Sequence, residues 1–436
     1  MQVMTIKRDK KTIGSKTCPA FSDPSPYYSA TSLNPVLPRI SSAWTNDCCE
    51  LLVASTRLQE QLPQATRQAL APLLAHMNCY YSNLIEGHRT YPDEVEAATA
   101  SGAARVDAGD QQRMLVHEAM AHIQTQSETR ARLRTDPTWD PATPDALAWM
   151  HHVFYGHMPA EFRWTVTRSG TKRIAIEPGA WRTRPVVVGN HIPPEAARLP
   201  EFLARFSEAY GGSTKPNPES IAVIAASHHR FAWIHPFVDG NGRVARLLTD
   251  AMVDRSGFGA DGLWCVGRGF ARTLDRYRSL LAGADGERVT ATDGRGPRTQ
   301  AGLDQWCDYV LKVMLDQVQF MHGLLKPTTL RERIQAWAER EVAQARLHPR
   351  AGRLIAEVIQ VGAVKRSDAV DILRLTDRYG REQIRILIAQ GFVTANEREP
   401  LRPCFPLHVV PWWFPGLFPG DVEQRLKPHR PDAANH

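Results

Sequence analysis

Within residues 230–248, RFAWIHPFVDGNGRVARLL, a histidine, a carboxylate, a Gly-Asn-Gly turn and two arginines stand between two apolar runs. Gly240, Asn241 and Gly242 sit directly before a segment with helical periodicity. Glycines permit positive φ and close backbone approach, so successive N–H groups can converge on an anion, and the start of the following helix adds to that attraction. The chain has no GxxxxGK[ST], which makes this turn the expected cradle for nucleotide phosphates. Arg243 and Arg246, three residues apart, share one face of the first helical turn, and two fixed guanidiniums suit a di- or triphosphate. Asp239 is placed for Mg²⁺, which favours one or two carboxylates, phosphate oxygens and water. His235 can reach the same centre as a general base near neutral pH, with Phe237 as a packing anchor for the loop.

Two helices must position this turn. Asn217 and Pro218 start one that carries Ile221, Ile224, Ala225, His228 and Phe231 toward Ile234, and a second is expected from Arg243 to Arg255, stopped at Gly257. Upstream, residues 42–87 show leucines at helical offsets, broken at Pro63 and Pro72 and ended by Gly87. Further helices are expected over 92–98, 111–126 and 144–155, the last capped by Thr143. Residues 164–192 turn β-branched and aromatic, as an irregular hairpin or flap would. Residues 283–302 read as a loop, and 1–40 as an arm whose Tyr27, Tyr28 and Leu33 can pack on the body. His151, His152, His228 and His229 are read as structural or solvent-facing.

The 436 residues, 43% hydrophobic and 23% charged, allow two or three domains with buried cores and point to a soluble protein. No apolar run approaches the ~20 residues of a membrane span, and the basic N-terminus is not followed by the apolar stretch of an export signal. Seven scattered cysteines without CxxC spacing read as reduced thiols in a cytoplasm.

The stretch around the turn resembles the signature of the Fic family, HPF-x-[DE]-GNGR-x-x-R, at His235, Pro236, Phe237, Asp239, Gly240, Asn241, Gly242, Arg243 and Arg246. The resemblance, covering roughly residues 82–325, implies a mainly α fold, a Fic-type helical bundle with a β-hairpin flap. It also implies protein adenylyltransferase chemistry, in which AMP passes from ATP to a Ser, Thr or Tyr hydroxyl of a target protein. In that chemistry His235 deprotonates the hydroxyl, Asp239 holds Mg²⁺, Gly240, Asn241 and Gly242 line the anion hole, and Arg243 and Arg246 bind the terminal phosphates. Residues 178–194, PGAWRTRPVVVGNHIPP, are similar to the family's flap, which docks the target by β-augmentation. SNLIEG, from Ser82 to Gly87, resembles the inhibitory motif [ST]-x-x-x-E-[GN] of the class II members, whose glutamate, here Glu86, pairs with the second arginine, Arg246. His88 stands where the family often has Asn. The reverse reaction, removal of AMP, and nucleotide sensing by a DNA-binding regulator are the alternatives.

Residues 351–393 divide into three short helical patterns with Ser367 and Thr376 as N-caps, Gly391 as a stop and a wing from Phe392. This resembles a small winged helix-turn-helix. Between residues 326 and 402 stand 15 Lys/Arg against 10 Asp/Glu, and Arg378, Arg381 and Arg385 on the third helix are candidates for duplex DNA contact. The aromatic tail packs back or lines a homodimer contact. The expected division is 1–41 arm, 42–135 helical region carrying the inhibitory helix, 136–325 catalytic domain, 326–410 winged-helix-like domain and 411–436 tail.

Overall fold

Pro63 splits the first leucine-rich run into two helices: α1 (Ser42–Glu60), begun by the Ser41 hydroxyl accepting the Trp44 N–H at 3.1 Å, and α2 (Gln64–Ile85), which runs on through Pro72. The computed structural model describes residues 28–101, 109–166, 173–212, 215–396 and 399–427. α3 (Pro92–Ser101), α4 (Asp110–Thr135) and α5 (Pro144–Gly156) follow, the last capped by Thr143. Next come a short antiparallel pair, β1 (Trp164–Val166) and β2 (Arg173–Ala175), with Trp164 opposite Ala175, and then α6 (Leu199–Tyr210). α7 (Pro218–Ile234) starts at Asn217, whose side chain accepts from the Ser220 N–H at 2.8 Å. α8 (Asn241–Arg255), α9 (Val266–Arg272), α10 (Leu274–Gly283) and α11 (Gln300–Leu324) complete this part. The fold is mainly α.

α7 is buried along its length, packed between α1, α6, α8 and α11, while α2 lies against α4 and α9 and α8 lies against α4 and α5. α4 and α5 therefore flank α8 beside its connection to α7, and the end of α2 reaches α8 through Ser82 and Glu86 on Arg246. In the arm, Tyr28 meets Trp233 edge-on at 5.0 Å between ring centres, Leu33 is fully buried, and Arg230 donates to the Leu33 and Pro35 carbonyls. Tyr27 lies outside the described residues.

Two expectations about this region need correction. α8 begins at Asn241, two residues before the expected Arg243, because Gly240 takes the left-handed conformation (φ 79°) and closes the turn itself. The paired strands β1 and β2 fall within the 164–192 region read as an irregular hairpin, but upstream of 178–194, the stretch similar to the family's flap. Residues 178–194 run as irregular chain with a single antiparallel bridge between Val188 and His191. Pro178, Pro185, Pro193 and Pro194 remove the donors a longer ladder would need.

The C-terminal region comprises α12 (Pro327–Ala343), α13 (Ala351–Val361), α14 (Arg366–Leu373), α15 (Asp377–Ala389), a two-stranded pair β3 (Val393–Thr394) and β4 (Arg402–Pro403), α16 (Val410–Trp413) and α17 (Gly420–Leu426). Ser367 lies inside α14, whose N-cap is Lys365, because its hydroxyl turns to the Asp368 carboxylate at 2.9 Å rather than to the helix start. On α15 the exposed Arg381 and Arg385 pair with Asp377 (3.3 Å) and Glu382 (2.8 Å) of the same helix. The tail packs back on the body: Trp413 is fully buried and the Leu417 carbonyl accepts from the Tyr81 hydroxyl of α2 at 3.1 Å. Thr66 at the other end of α2 donates to the Ile359 carbonyl at 2.6 Å. One buried apolar cluster runs from Leu33 to Leu426, so α2 is gripped from both sides. No helix among the described residues is long and apolar enough to cross a membrane.

Candidate active site

α7 ends on His235, held in the left-handed region (φ 49°, ψ 59°) with its N–H on the Phe231 carbonyl at 3.0 Å. A histidine in that conformation is strained, and it persists because neighbouring groups over-determine it. Arg182, 2% exposed, supplies much of that constraint: its Nε donates to the His235 carbonyl at 2.8 Å, its N–H to the Pro236 carbonyl at 2.9 Å, and its guanidinium also reaches the Pro194 and Arg184 carbonyls. The same residue thus ties the 178–194 segment to the histidine turn.

The loop between the helices is closed from inside. Asn241 accepts the Phe237 N–H and donates to the Phe237 carbonyl, both at 2.9 Å, so its side chain braces the loop and only its main chain faces the cradle. Phe237 is fully buried, stacked on His151 at 3.8 Å and 7° between planes and on Trp181 at 4.8 Å. His151 Nδ1 accepts the Gly179 N–H at 2.9 Å, which leaves Nε2 to donate to the Asp239 carbonyl at 3.2 Å. His228 and His229 are buried in α7 on Thr249, Tyr277 and Leu281.

His235 Nδ1 faces the Ala232 carbonyl at 3.3 Å, an arrangement that places the ring proton on Nδ1 and leaves Nε2 as the acceptor. Burial lowers its pKa to about 4, with Arg182 and His191 adding to the effect against the Ala232 bond, so the ring is neutral and able to take a proton at neutral pH. Asp239 accepts the Gly240 N–H at 2.7 Å. Burial raises the Asp239 pKa and the nearby Glu118 and Glu86 add to the rise, against Arg243 and the Gly240 bond. A carboxylate under that pressure is a fitting single ligand for a cation that brings its remaining oxygens from phosphate and water.

Gly240 is required for two reasons. Its φ is +79°, and an added Cβ would lie 2.9 Å from the ring of Tyr155, which is itself 2% exposed. Gly240→Ala is expected to lower unfolding stability by ~1–3 kcal/mol from the left-handed cost and the displaced ring, read as a reduced denaturant midpoint. An unchanged midpoint would show that the turn relaxes freely.

Arg246, 3% exposed, donates from Nε to the Ser82 hydroxyl at 2.8 Å and from Nη2 to Glu86 Oε1 at 2.6 Å. Ser82 lies one turn before Glu86 on the last turn of α2, and Glu86 is the C-cap residue, followed by Gly87 at φ +85°. Glu86 Oε1 also rests against Gly242, where any Cβ would collide with it. The carboxylate therefore lies in the turn expected to cradle phosphate. Burial pushes the Glu86 pKa up, but Arg246, Arg243 and the Arg246 hydrogen bond outweigh it and bring it to about 2. Because the folded value is depressed, the ion pair is fully formed above the unfolded value of ~4.3 and is lost only as pH falls toward about 2.

Arg243 takes a different partner from Arg246. Its Nη2 donates to Glu118 of α4, a carboxylate 6% exposed, whose other oxygen lies 2.6 Å from His88 Nδ1. The Arg243 Nε is buried with no hydrogen-bond partner among the described residues. Sequence reasoning missed Glu118 and Arg182, and it noted His88 only as a departure from the usual Asn. No local pattern marks a lone acid 125 residues before its arginine. The structure otherwise gathers His235, Asp239, Gly240, Gly242, Arg246, Ser82, Glu86 and Gly87 around one turn.

The Fic/DOC family profile matches residues 141–253, a span that contains α5, α7, the whole turn and all but the last two residues of α8. The chain is 35% identical over 83 residues to the protein adenylyltransferase Fic of Drosophila willistoni and 37% identical over 83 residues to that of Nematostella vectensis. Those segments make up 19% of this chain and 17% and 19% of the two relatives, so the chain spans less than a fifth of the curated relatives it matches. Among solved structures, a Fic family protein from Desulfovibrio desulfuricans G20 aligns over 84% of this chain and 98% of its own, at 18% identity and a TM-score of 0.46. Fic-1 from C. elegans (residues 134–508) aligns over 64% of this chain and 73% of its own, at 19% identity and a TM-score of 0.47. Through residues 141–253 the chain carries a Fic/DOC family domain.

Proposed function

We propose that this protein is an adenylyltransferase that moves AMP from ATP to a Ser, Thr or Tyr hydroxyl of a target protein, and that Glu86 holds it in check. The observation that carries the reading is the Glu86 carboxylate, bound to Arg246 and seated on Gly242, in the turn that the Fic signature assigns to phosphate.

His235 Nε2 takes the hydroxyl proton as the target oxygen attacks the α-phosphorus. The bond from that phosphorus to the bridging oxygen of the β-phosphate breaks, and pyrophosphate leaves. The main-chain N–H groups at the start of α8 face the phosphate oxygens, and Arg246 holds the terminal phosphate once Glu86 has moved aside. Asp239 would hold Mg²⁺, which when bound neutralises phosphate charge. Positioning and fixed charge supply most of the acceleration in such a displacement.

A cleft of about 200 Å³ lined by His151, Ile174, Trp181, Thr183 and Val238 opens beside the histidine turn. Val187, Val188 and Ile192 are exposed on the neighbouring irregular segment. Exposed apolar residues along a backbone whose only ladder contact among the described residues is the Val188–His191 bridge suit a target segment that pairs by main-chain hydrogen bonds. A second reading, removal of AMP from a modified protein, draws on the same Glu86: ionised and about one-third exposed, it can orient a water. For duplex DNA, support is confined to the exposed arginines of α15, two of which already pair with acids of their own helix.

The test is mass spectrometry of cell lysate treated with the Glu86→Gly protein, ATP and Mg²⁺. The expected result is peptides carrying added AMP on a hydroxyl residue, absent from lysate treated with a Glu86→Gly/His235→Ala protein. Equal labelling by both would remove transfer from this site, and loss of pre-existing AMP on wild-type treatment would favour the reverse reaction.

A further inference from the structure

Glu86 and Glu118 each take one signature arginine, and a single histidine stands between them. Arg243, 4% exposed, gives Nη2 to Glu118 Oε1 and also lies 3.3 Å from His88 Nδ1. That same Nδ1 lies 2.6 Å from Glu118 Oε2. One nitrogen cannot donate to the carboxylate and accept from the guanidinium together. With its proton on Nδ1, His88 bonds Glu118 and presents an N–H to the Arg243 donor, which leaves Arg243 bound to Glu118 alone on that side. The buried Arg243 Nε has no partner among the described residues and is a donor left unsatisfied in this arrangement.

The charged groups facing His88 are Glu86 from the end of α2, Glu118 from α4 and Arg243 from α8. The hydrogen bond to Glu118 raises the His88 pKa, burial lowers it, the Glu118 charge raises it further, Arg243 lowers it and Glu86 raises it. His88 is 34% exposed in its side chain, so its second ring nitrogen can exchange protons with solvent, and it follows Glu86 by two residues, with its N–H on the Asn83 carbonyl at 2.9 Å.

A triphosphate entering the cradle competes for Arg243. If Arg243 turned to phosphate with nothing in its place, Glu118 would be left as an uncompensated buried carboxylate next to added negative charge, an arrangement proteins avoid. We propose that His88 and Arg243 exchange as the counter-cation of Glu118: a nucleotide that draws Arg243 to its phosphates leaves Glu118 to His88, which takes up a proton from solvent at its second ring nitrogen. Nucleotide binding and proton uptake are then coupled at this site, and each must strengthen the other. The inference rests on the reading of the cradle as a nucleotide site. It adds Glu118 and His88 as positioning residues for Arg243.

The sign of the pH effect follows. Below the His88 pKa of the free protein the ring is already charged and binding takes up little. Above it, binding must bring in a proton, so affinity falls as pH rises. The test is calorimetric titration of ATP with Mg²⁺ into the His235→Ala protein, whose transfer is expected to be slowed ~10²–10⁴-fold, over a pH series from about 7 to 9.5, because the His88 pKa of the free protein is raised above the ordinary histidine value of ~6.5. Two buffers of different ionisation heat are compared. The apparent enthalpy is expected to differ between buffers by the equivalent of up to about one proton taken up per nucleotide. Over the pH unit above the His88 pKa of the free protein the affinity is expected to fall about three- to tenfold. Adding His88→Gln should remove both effects while nucleotide still binds, and Glu118→Gln should remove the uptake as well, since the carboxylate that demands a cation is gone. Nucleotide heat that is identical in the two buffers, or a buffer difference that survives His88→Gln, overturns the exchange alone. Absence of any nucleotide heat at saturating concentrations overturns the nucleotide reading of the cradle, and the exchange with it.

Discussion

His235→Ala, placed in a Glu86→Gly background where turnover is fast enough to quantify, is expected to lower AMP incorporation by ~10²–10⁴. Nucleotide affinity should stay within about threefold, because the cradle is built from main chain and arginine and does not draw on the imidazole. The left-handed conformation at the end of α7, the Ala232 carbonyl on Nδ1 and the Arg182 clamp on the His235 carbonyl together aim Nε2 away from the helix. Replacing the ring leaves that backbone in place and removes the proton acceptor. The pH profile gives an independent readout. With its pKa lowered to about 4, His235 is already neutral at pH 6, so the rate attributable to the base should stay flat from about pH 6 to 8 rather than rise through the ordinary histidine value of ~6.5. Transfer by the His235→Ala protein within about threefold of its parent would take the base role away from this residue.

Glu86→Gly is expected to raise self-modification by about tenfold or more over the wild type, read as added AMP by intact mass with ATP and Mg²⁺ saturating. In the wild type the Arg246 guanidinium, 3% exposed, is satisfied by Ser82 and Glu86, and the Glu86 carboxylate rests on Gly242. A terminal phosphate can reach Arg246 only by displacing the Glu86 carboxylate, whose pKa is lowered to about 2, so it stays charged and competes with the phosphate throughout the neutral range. Removing Glu86 clears the cradle and leaves a buried cation in want of an anion, which the nucleotide supplies. Position 86 follows the end of α2 and is followed by Gly87 at positive φ, so a glycine is tolerated there at small cost to the helix. Arg246→Ala should not mimic the release, since it clears the carboxylate's partner and the phosphate's ligand together. Equal incorporation by wild type and Glu86→Gly would remove the inhibitory role from Glu86.

The local pieces of the site were legible in the sequence because short-range physics makes them. Asn217 and Pro218 start α7 and Thr143 starts α5 through bonds that span three residues, and Gly240 turns the chain because it alone tolerates φ +79° beside Tyr155. The expected start of α8 missed by two residues at that same turn, where a glycine cap and a helix start cannot be told apart by pattern alone. The pairing of Glu86 with Arg246, 160 residues apart, came from the likeness of SNLIEG to a family motif, not from spacing.

What the sequence by itself determined about this protein is the chemistry of the turn: a histidine, an acid, a glycine cradle and two arginines whose backbone geometry follows from residues within one or two helical turns. Only the tertiary structure decided where the arginine side chains end. An arginine can reach several ångströms in many directions, and its partner is chosen by which helices pack beside it. The packing of α4 on α8 puts Glu118 at Arg243, the end of α2 puts Glu86 at Arg246, and the loop after Gly87 puts His88 between them. Arg182 reaches the His235 carbonyl for the same reason, through a proline-rich segment whose path no periodicity records. Those contacts are non-local, set by the fold of the whole chain rather than by neighbours in sequence.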